Sequence, residues 1–169
     1  MERLVLASSN PGKIAEISAL LAPLAIEVLP QSHYGIAEAE EPHDTFVENA
    51  LAKARHASRA CGLPALADDS GLCVEALGGR PGVHSAYFAG REGSRAERDA
   101  RNNEKLLREL QDRRSAYYAC IMLLTRSAQD PLPLIAQGLW HGEIARAPRG
   151  TNGFGYDPLF LVPQLGKTF

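Results

Sequence analysis

The strongest constraint on this chain is the alternation, through its first half, of short apolar runs with stretches of helical spacing. Leu4-Val5-Leu6 reads as a short buried strand. It stops at the polar run Ser8-Ser9-Asn10-Pro11-Gly12-Lys13, after which Ile14, Ile17, Leu20 and Leu21 recur at the period of a helix. Asn10 suits the N-cap and Pro11 the first helical position. Residues 24–29 read as a second strand. Thr45-Phe46-Val47-Glu48 matches a capping box, and an alanine-rich helix should run on to about Cys61, with Gly62 ending it. Pro64 leads into the strand Ala65-Leu66-Ala67, which is expected to end on Asp68-Asp69. Leu72-Cys73-Val74 either continues that strand or begins its neighbour.

The second half has more strand than helix. Gly78-Gly79-Arg80-Pro81-Gly82 demands a tight, irregular loop. Residues 94–113 are charged, with Leu106, Leu107 and Leu110 marking a surface helix. Residues 116–125 form an aromatic and aliphatic strand, 132–144 read as two further strands, 150–155 as a glycine-rich loop, and 159–162 as a last strand. Strands that follow one another without a helix between them cannot all be parallel, so the class is α/β with a mixed sheet flanked by helices. A length of 169 residues suits one domain, in one or two lobes.

Charge and cysteine usage narrow the function classes. Lys+Arg number 18 against 20 Asp+Glu, a net charge of −2, which argues against a general nucleic-acid or anionic-membrane binder. A small phosphorylated ligand needs only a few local cations. Cys61, Cys73 and Cys120 are widely spaced, form no C-x-x-C pair, and read as buried free thiols of a reducing compartment. No long apolar run precedes Ser8, so no signal peptide is expected, and the longest apolar stretch is too short to span a bilayer. A cytoplasmic location is the resulting expectation.

Four segments can carry chemistry. The loop from Ser8 to Lys13 leads from a strand into a helix N-terminus, where free N–H groups and the dipole favour a phosphate. Lys13 adds a full charge and Gly12 allows close approach. Read alone, the segment fits an ordinary capped helix better than a phosphate site. It is not a Walker A loop, because Ile14 follows the lysine; Gly166-Lys167-Thr168 fails too, with Leu161 where the first glycine should stand. Asp68-Asp69-Ser70-Gly71 follows an apolar strand, and adjacent carboxylates repel unless a cation lies nearby. Mg²⁺ shared with substrate phosphates fits that need, and a carboxylate can deprotonate an attacking water; an Asx-type turn fits the same residues. The acidic loop at Glu38, Glu40 and Glu41 is a surface cluster by itself, or a source of a second metal ligand beside an aspartate. Gly150-Thr151-Asn152-Gly153-Phe154-Gly155-Tyr156-Asp157-Pro158 suggests ring faces and open backbone amides suited to a planar base, or else an aromatic-anchored structural loop. The five histidines form no tight ligand pattern.

Taken in order, Ser8-Ser9-Asn10-x-Gly12-Lys13, Thr45-Phe46-x-Glu48-Asn49-Ala50, Ala67-Asp68-Asp69-Ser70-Gly71-Leu72, Leu77-Gly78-Gly79-x-Pro81-Gly82 and Gly153-Phe154-Gly155-Tyr156-Asp157-Pro158 resemble the inosine triphosphatase family, which clears non-standard purine nucleotides. The resemblance spans essentially the whole chain. It implies an elongated mixed sheet in two lobes, residues 1–169 making one such domain with the active-site cleft between the lobes. It implies Mg²⁺-dependent cleavage between the α- and β-phosphates of ITP, dITP and XTP, giving a monophosphate and pyrophosphate, by a homodimer. By position, Ser8, Ser9, Asn10, Pro11, Gly12 and Lys13 would hold the triphosphate. Asp69 would be the proton acceptor and a metal ligand, Glu40 or Glu41 a further ligand, and Ser70 a substrate contact. Phe154, Gly155, Tyr156 and Asp157 would line the base pocket. The family continues beyond its Gly-Lys-Thr-Phe segment with residues that touch the base, and this sequence ends at Phe169, so base selection is the least defined part of the expectation. Maf-like pyrophosphatases share the chemistry, but Asn10-Pro11-Gly12-Lys13 departs from their N-terminal signature.

Overall fold

The computed structural model describes residues 2–150 and 153–168. The elements are β1 (Arg3–Leu6), α1 (Pro11–Leu21), β2 (Glu27–Pro30), α2 (Phe46–Cys61), β3 (Ala65–Val74), α3 (Arg95–Glu109), β4 (Ser115–Thr125), β5 (Leu134–Ile144), β6 (Phe160–Val162), expected to be the last strand, and beyond it the short β7 (Lys167–Thr168), which was not expected from the sequence. The strands form one seven-stranded sheet in the order β2-β1-β3-β4-β5-β6-β7. β1 runs parallel to β2 and β3, whereas β5–β6 and β6–β7 are antiparallel, so the sheet is mixed.

The chain divides into two compact units, Met1–Asp69 with Ile121–Gln137, and Ser70–Cys120 with Gly138–Phe169. Each has its own core. In the first, Val5, Ala65, Ala67, Ile121 and Leu123 meet the alanine stripe Ala50, Ala54 and Ala57 of α2. Small side chains at that spacing let the helix lie close to the sheet. In the second, Leu72, Val74, Leu106, Ile144, Tyr156, Leu159 and Phe160 pack together.

Local signals placed the helix starts. The Asn10 side chain accepts from the N–H groups of Gly12 and Lys13, and Pro11 opens α1. Thr45 caps α2, but its capping box is altered: Glu48 accepts from the Thr45 hydroxyl. A complete box occurs at Ser94 and Glu97, at the start of α3. Gly62 ends α2 in the left-handed conformation, at φ +71°.

Four expectations about the elements needed correction. β3 does not end on Asp68-Asp69 but continues through them to Val74. Residues 132–144 hold one long strand, because nothing between Leu134 and Ile144 breaks the extended backbone. Residues 22–24 form a 3₁₀ turn, so β2 starts only at Glu27. The helix expected over 94–113 stops at Glu109. No residue of α1 is fully buried, and Leu20 stands 66% exposed. None of the three cysteines is in a disulfide; Cys73 is buried as expected, whereas Cys61 and Cys120 are only partly so. No described helix is long and apolar enough to cross a membrane.

The turn after β4 is tied by Asp130, which accepts from the Arg126 N–H and guanidinium and from the Leu132 N–H. The Arg126 side chain and these amides hold its carboxyl well below the usual carboxylate range. A depressed carboxylate stabilises the fold above its unfolded pKa, and that contribution is lost as pH falls through the folded value. Asp130→Asn should therefore lower the thermal midpoint at pH 7. The gap to wild type should persist to about pH 4 and close only in stronger acid. Thermal unfolding across that range checks this; equal midpoints at pH 7 would refute the tie.

Candidate active site

Asp68 and Asp69 are both buried, at 8% and 9% exposed. Successive residues of a strand point to opposite faces, so these neighbours do not confront each other. Each meets its own lysine. Lys13, on the first turn of α1, donates to Asp68 Oδ2 at 2.6 Å. Lys53, on α2, lies 3.4 Å from Asp69 Oδ1 and also pairs with Glu41. Ala65, Ala67 and Asp69 share a face by alternation, and that face meets α2.

Asp69 Oδ2 is buried and has no hydrogen-bond partner among the described residues. Burial raises the Asp69 pKa; Lys53 opposes that rise and the Glu41 carboxylate adds to it. Burial works against the charge on Lys53, but the hydrogen bond to Glu41 and the charges of Asp69, Glu41 and Asp68 outweigh it and raise its pKa. The result is a charged lysine beside a carboxyl of raised basicity with one oxygen left over. An orphaned acidic oxygen in a polar recess suits a hard cation, which takes oxygen ligands.

The acidic loop divides. Glu41 is drawn to Lys53, whereas Glu40 is exposed and makes no hydrogen bond or ion pair among the described residues. No described group of three or more His, Cys, Asp or Glu side chains converges as a metal site. The loop is anchored from α2 by the buried Asn49, whose amide accepts from the His43 N–H and donates to the His43 carbonyl.

The expectation of free amides at the start of α1 fails, because the N–H groups of Gly12 and Lys13 are taken by the Asn10 side chain. Ser8 Oγ accepts from the Asn10 N–H, and Ser9 Oγ accepts from Gln31. Pro11 and Gly12 are exposed. Ser8 to Lys13 is thus a preformed polar turn in which the N–H groups of Asn10, Gly12 and Lys13 are already taken by side chains of the turn, with Lys13 and Asp68 as its charged end.

In the second unit, Ser70 is exposed. The aromatic loop is not open as expected either. Thr151 and Asn152 lie outside the described residues. Phe154 presents its ring, 62% exposed, while Tyr156 is buried and its hydroxyl donates to the Ser85 carbonyl. Asp157 is buried, accepting from the Phe154 N–H on Oδ2 and from the Tyr118 hydroxyl on Oδ1. A Cβ on Gly153, at φ +79°, would fall 2.5 Å from Asp157 Oδ2, so glycine is required there. Phe154 is the one ring the loop offers; Tyr156 and Asp157 hold it.

Sequence reasoning missed Lys53. Its only signal was helical phase. Ala50, Ala54 and Ala57 define the sheet-facing stripe of α2, and Asn49 and Lys53 flank it one turn apart. Lys53→Met would strand Asp69 and Glu41 beside each other. Removing one partner of a largely buried pair costs about 3 kcal/mol, read as a lower urea midpoint. Adding Asp69→Asn should recover part of that loss. An unchanged midpoint in Lys53→Met would show that the lysine does not hold the pair.

A model of the Ham1 family matches residues 4–169. A dITP/XTP pyrophosphatase from Ralstonia nicotianae is 62% identical over 170 residues, covering 99% of this chain and 84% of the relative. One from Bordetella pertussis is 64% identical over 171 residues, covering 99% and 79%. The structure of a HAM1 protein from Coxiella burnetii superimposes with a TM-score of 0.92 at 48% identity, covering 99% of this chain and 85% of that one.

Proposed function

From the premise that the chain belongs to the Ham1 family, we propose that it is a nucleoside-triphosphate pyrophosphatase. It cleaves ITP, dITP and XTP between the α- and β-phosphates, releasing the monophosphate and pyrophosphate. The observation that carries this reading is the Asp69 carboxyl: buried, raised in pKa, with Lys53 on one oxygen and none of the described donors on the other.

In this reading Asp69 takes the proton of the attacking water, a task that improves as a carboxylate's pKa rises toward the working pH. Lys13 leaves Asp68 for the triphosphate, and Ser8, Ser9, Asn10, Pro11 and Gly12 shape the turn around it. Lys53 keeps Asp69 and Glu41 in place while charge develops. Ser70 contacts the substrate, and Phe154 stacks on the base, held by Gly155, Tyr156 and Asp157. Asp69 with Glu40 or Glu41 would hold Mg²⁺. When bound, that ion neutralises phosphate charge and acidifies water. The reading carries with it a cytoplasmic homodimer acting on free nucleotides rather than on nucleic acid.

The test is a release assay with Mg²⁺ and ITP, dITP, XTP, ATP or GTP. Pyrophosphate should appear as the direct product, faster from the first three, and chelation should abolish it. Asp69→Asn should lower kcat by about 10³-fold with folding intact. Orthophosphate as the direct product, or an active Asp69→Asn, would reject the assignment.

A further inference from the structure

We infer that helix α3 is the positioning element of the base-binding loop, acting through three side chains on one stripe: Arg95, Asp99 and Asn103. The inference rests on the reading in which Phe154 stacks on the base. The three residues are spaced four apart, so they line one face of the helix. Asp99 Oδ2 accepts from the Gly155 N–H at 3.0 Å, and Asn103 Nδ2 donates to the Gly155 carbonyl at 2.8 Å. Both backbone polar groups of one residue are therefore gripped by a single helix. One turn earlier, the Arg95 guanidinium lies 4.4 Å from the centroid of the Phe154 ring and 4.0 Å from Asp99 Oδ2.

This grip matters because the core does not fix Phe154. Its ring is largely exposed, so its place depends on the backbone on either side of it. Asp157 fixes the Phe154 N–H, and Asp99 and Asn103 fix the next residue, Gly155, whose φ of +60° glycine adopts freely and which would otherwise be the loosest point beside the ring. The orientation of the Asn103 amide follows from the same contact. Its Oδ1 is buried with no partner among the described residues, and turning the amide over would set that oxygen against the Gly155 carbonyl. Only the donor to Gly155 gives this asparagine a use for its polarity.

A structural staple and a positioning element differ in what they move. The probes are IMP, which carries the base, and inorganic tripolyphosphate, which does not, titrated calorimetrically into the full chain with Mg²⁺. An aspartate at position 103 keeps the shape but cannot donate to Gly155. Asn103→Asp should weaken IMP binding about tenfold, the scale of one lost constraint, and leave tripolyphosphate unchanged. Asp99→Ala should do the same, while Asp99→Asn, which still offers an acceptor, should bind like wild type. With ITP as substrate, KM should rise and kcat stay within about twofold. Unaltered IMP binding in both Asn103→Asp and Asp99→Ala would overturn the inference, as would parallel loss of IMP and tripolyphosphate. A wild-type chain that binds neither probe would overturn the enzymatic reading, and this inference with it.

Discussion

The structure of the first unit turns on two adjacent carboxylates buried in one strand. A buried charge is tolerable only when paired and hydrogen-bonded. Asp68 and Asp69 meet that condition by pointing to opposite faces of β3, toward α1 and α2 respectively. Each helix brings one lysine, Lys13 on the first turn of α1 and Lys53 one turn beyond the buried Asn49 of α2. The pairing dictates the phase of each helix. A rotation of α2 that kept its alanine stripe off the sheet would also leave Asp69 without a counter-charge. Packing and electrostatics thus select the same arrangement.

The sequence was most legible where structure is decided locally. Asn10-Pro11, Thr45 and Gly62 announced helix ends because a cap is a contact between near neighbours. It was least legible where the deciding contact is distant. Asp68-Asp69-Ser70-Gly71 has turn composition, yet β3 runs through it because both aspartates find lysines far away in sequence. The two carboxylates do not confront each other, and each has its own lysine as counter-charge. The ring of Tyr156 looked like a ligand surface, and only the Ser85 carbonyl and the surrounding core explain why it is buried.

The polar groups expected to meet a ligand are, in the chain itself, engaged with one another. Asn10 fills the amides of the α1 N-terminus, Lys13 is held by Asp68, and Glu41 by Lys53. Each of these groups already has a partner within the protein, so a ligand that uses one must replace that partner. Binding a polyphosphate is then an exchange. The anion must offer Lys13 more than Asp68 does, and Asp68, once released, is a buried carboxylate needing a new partner. On the proposed reading, a highly charged phosphate chain has more to offer Lys13 than a neutral or singly charged ligand has, irrespective of the base it carries.

The two units differ in what they hold. The first has two lysines, two aspartates and the acidic loop. In the second, Phe154 stands exposed on a loop whose neighbouring amides are already spent on α3 and Asp157. A ring with no free donors beside it recognises the flatness of a base but reads none of its edges, and stacking is tolerant of base identity. Selection of an oxo-purine over adenine needs a donor aimed at the carbonyl edge. Of the groups around Phe154, the Arg95 guanidinium alone is a cation placed on the ring, at 4.4 Å, and it would have to turn from the ring face to serve as that donor. On the proposed reading, Phe154 would supply stacking common to any purine, and discrimination would depend on whether a guanidinium can be brought to the base edge while α3 keeps the ring still.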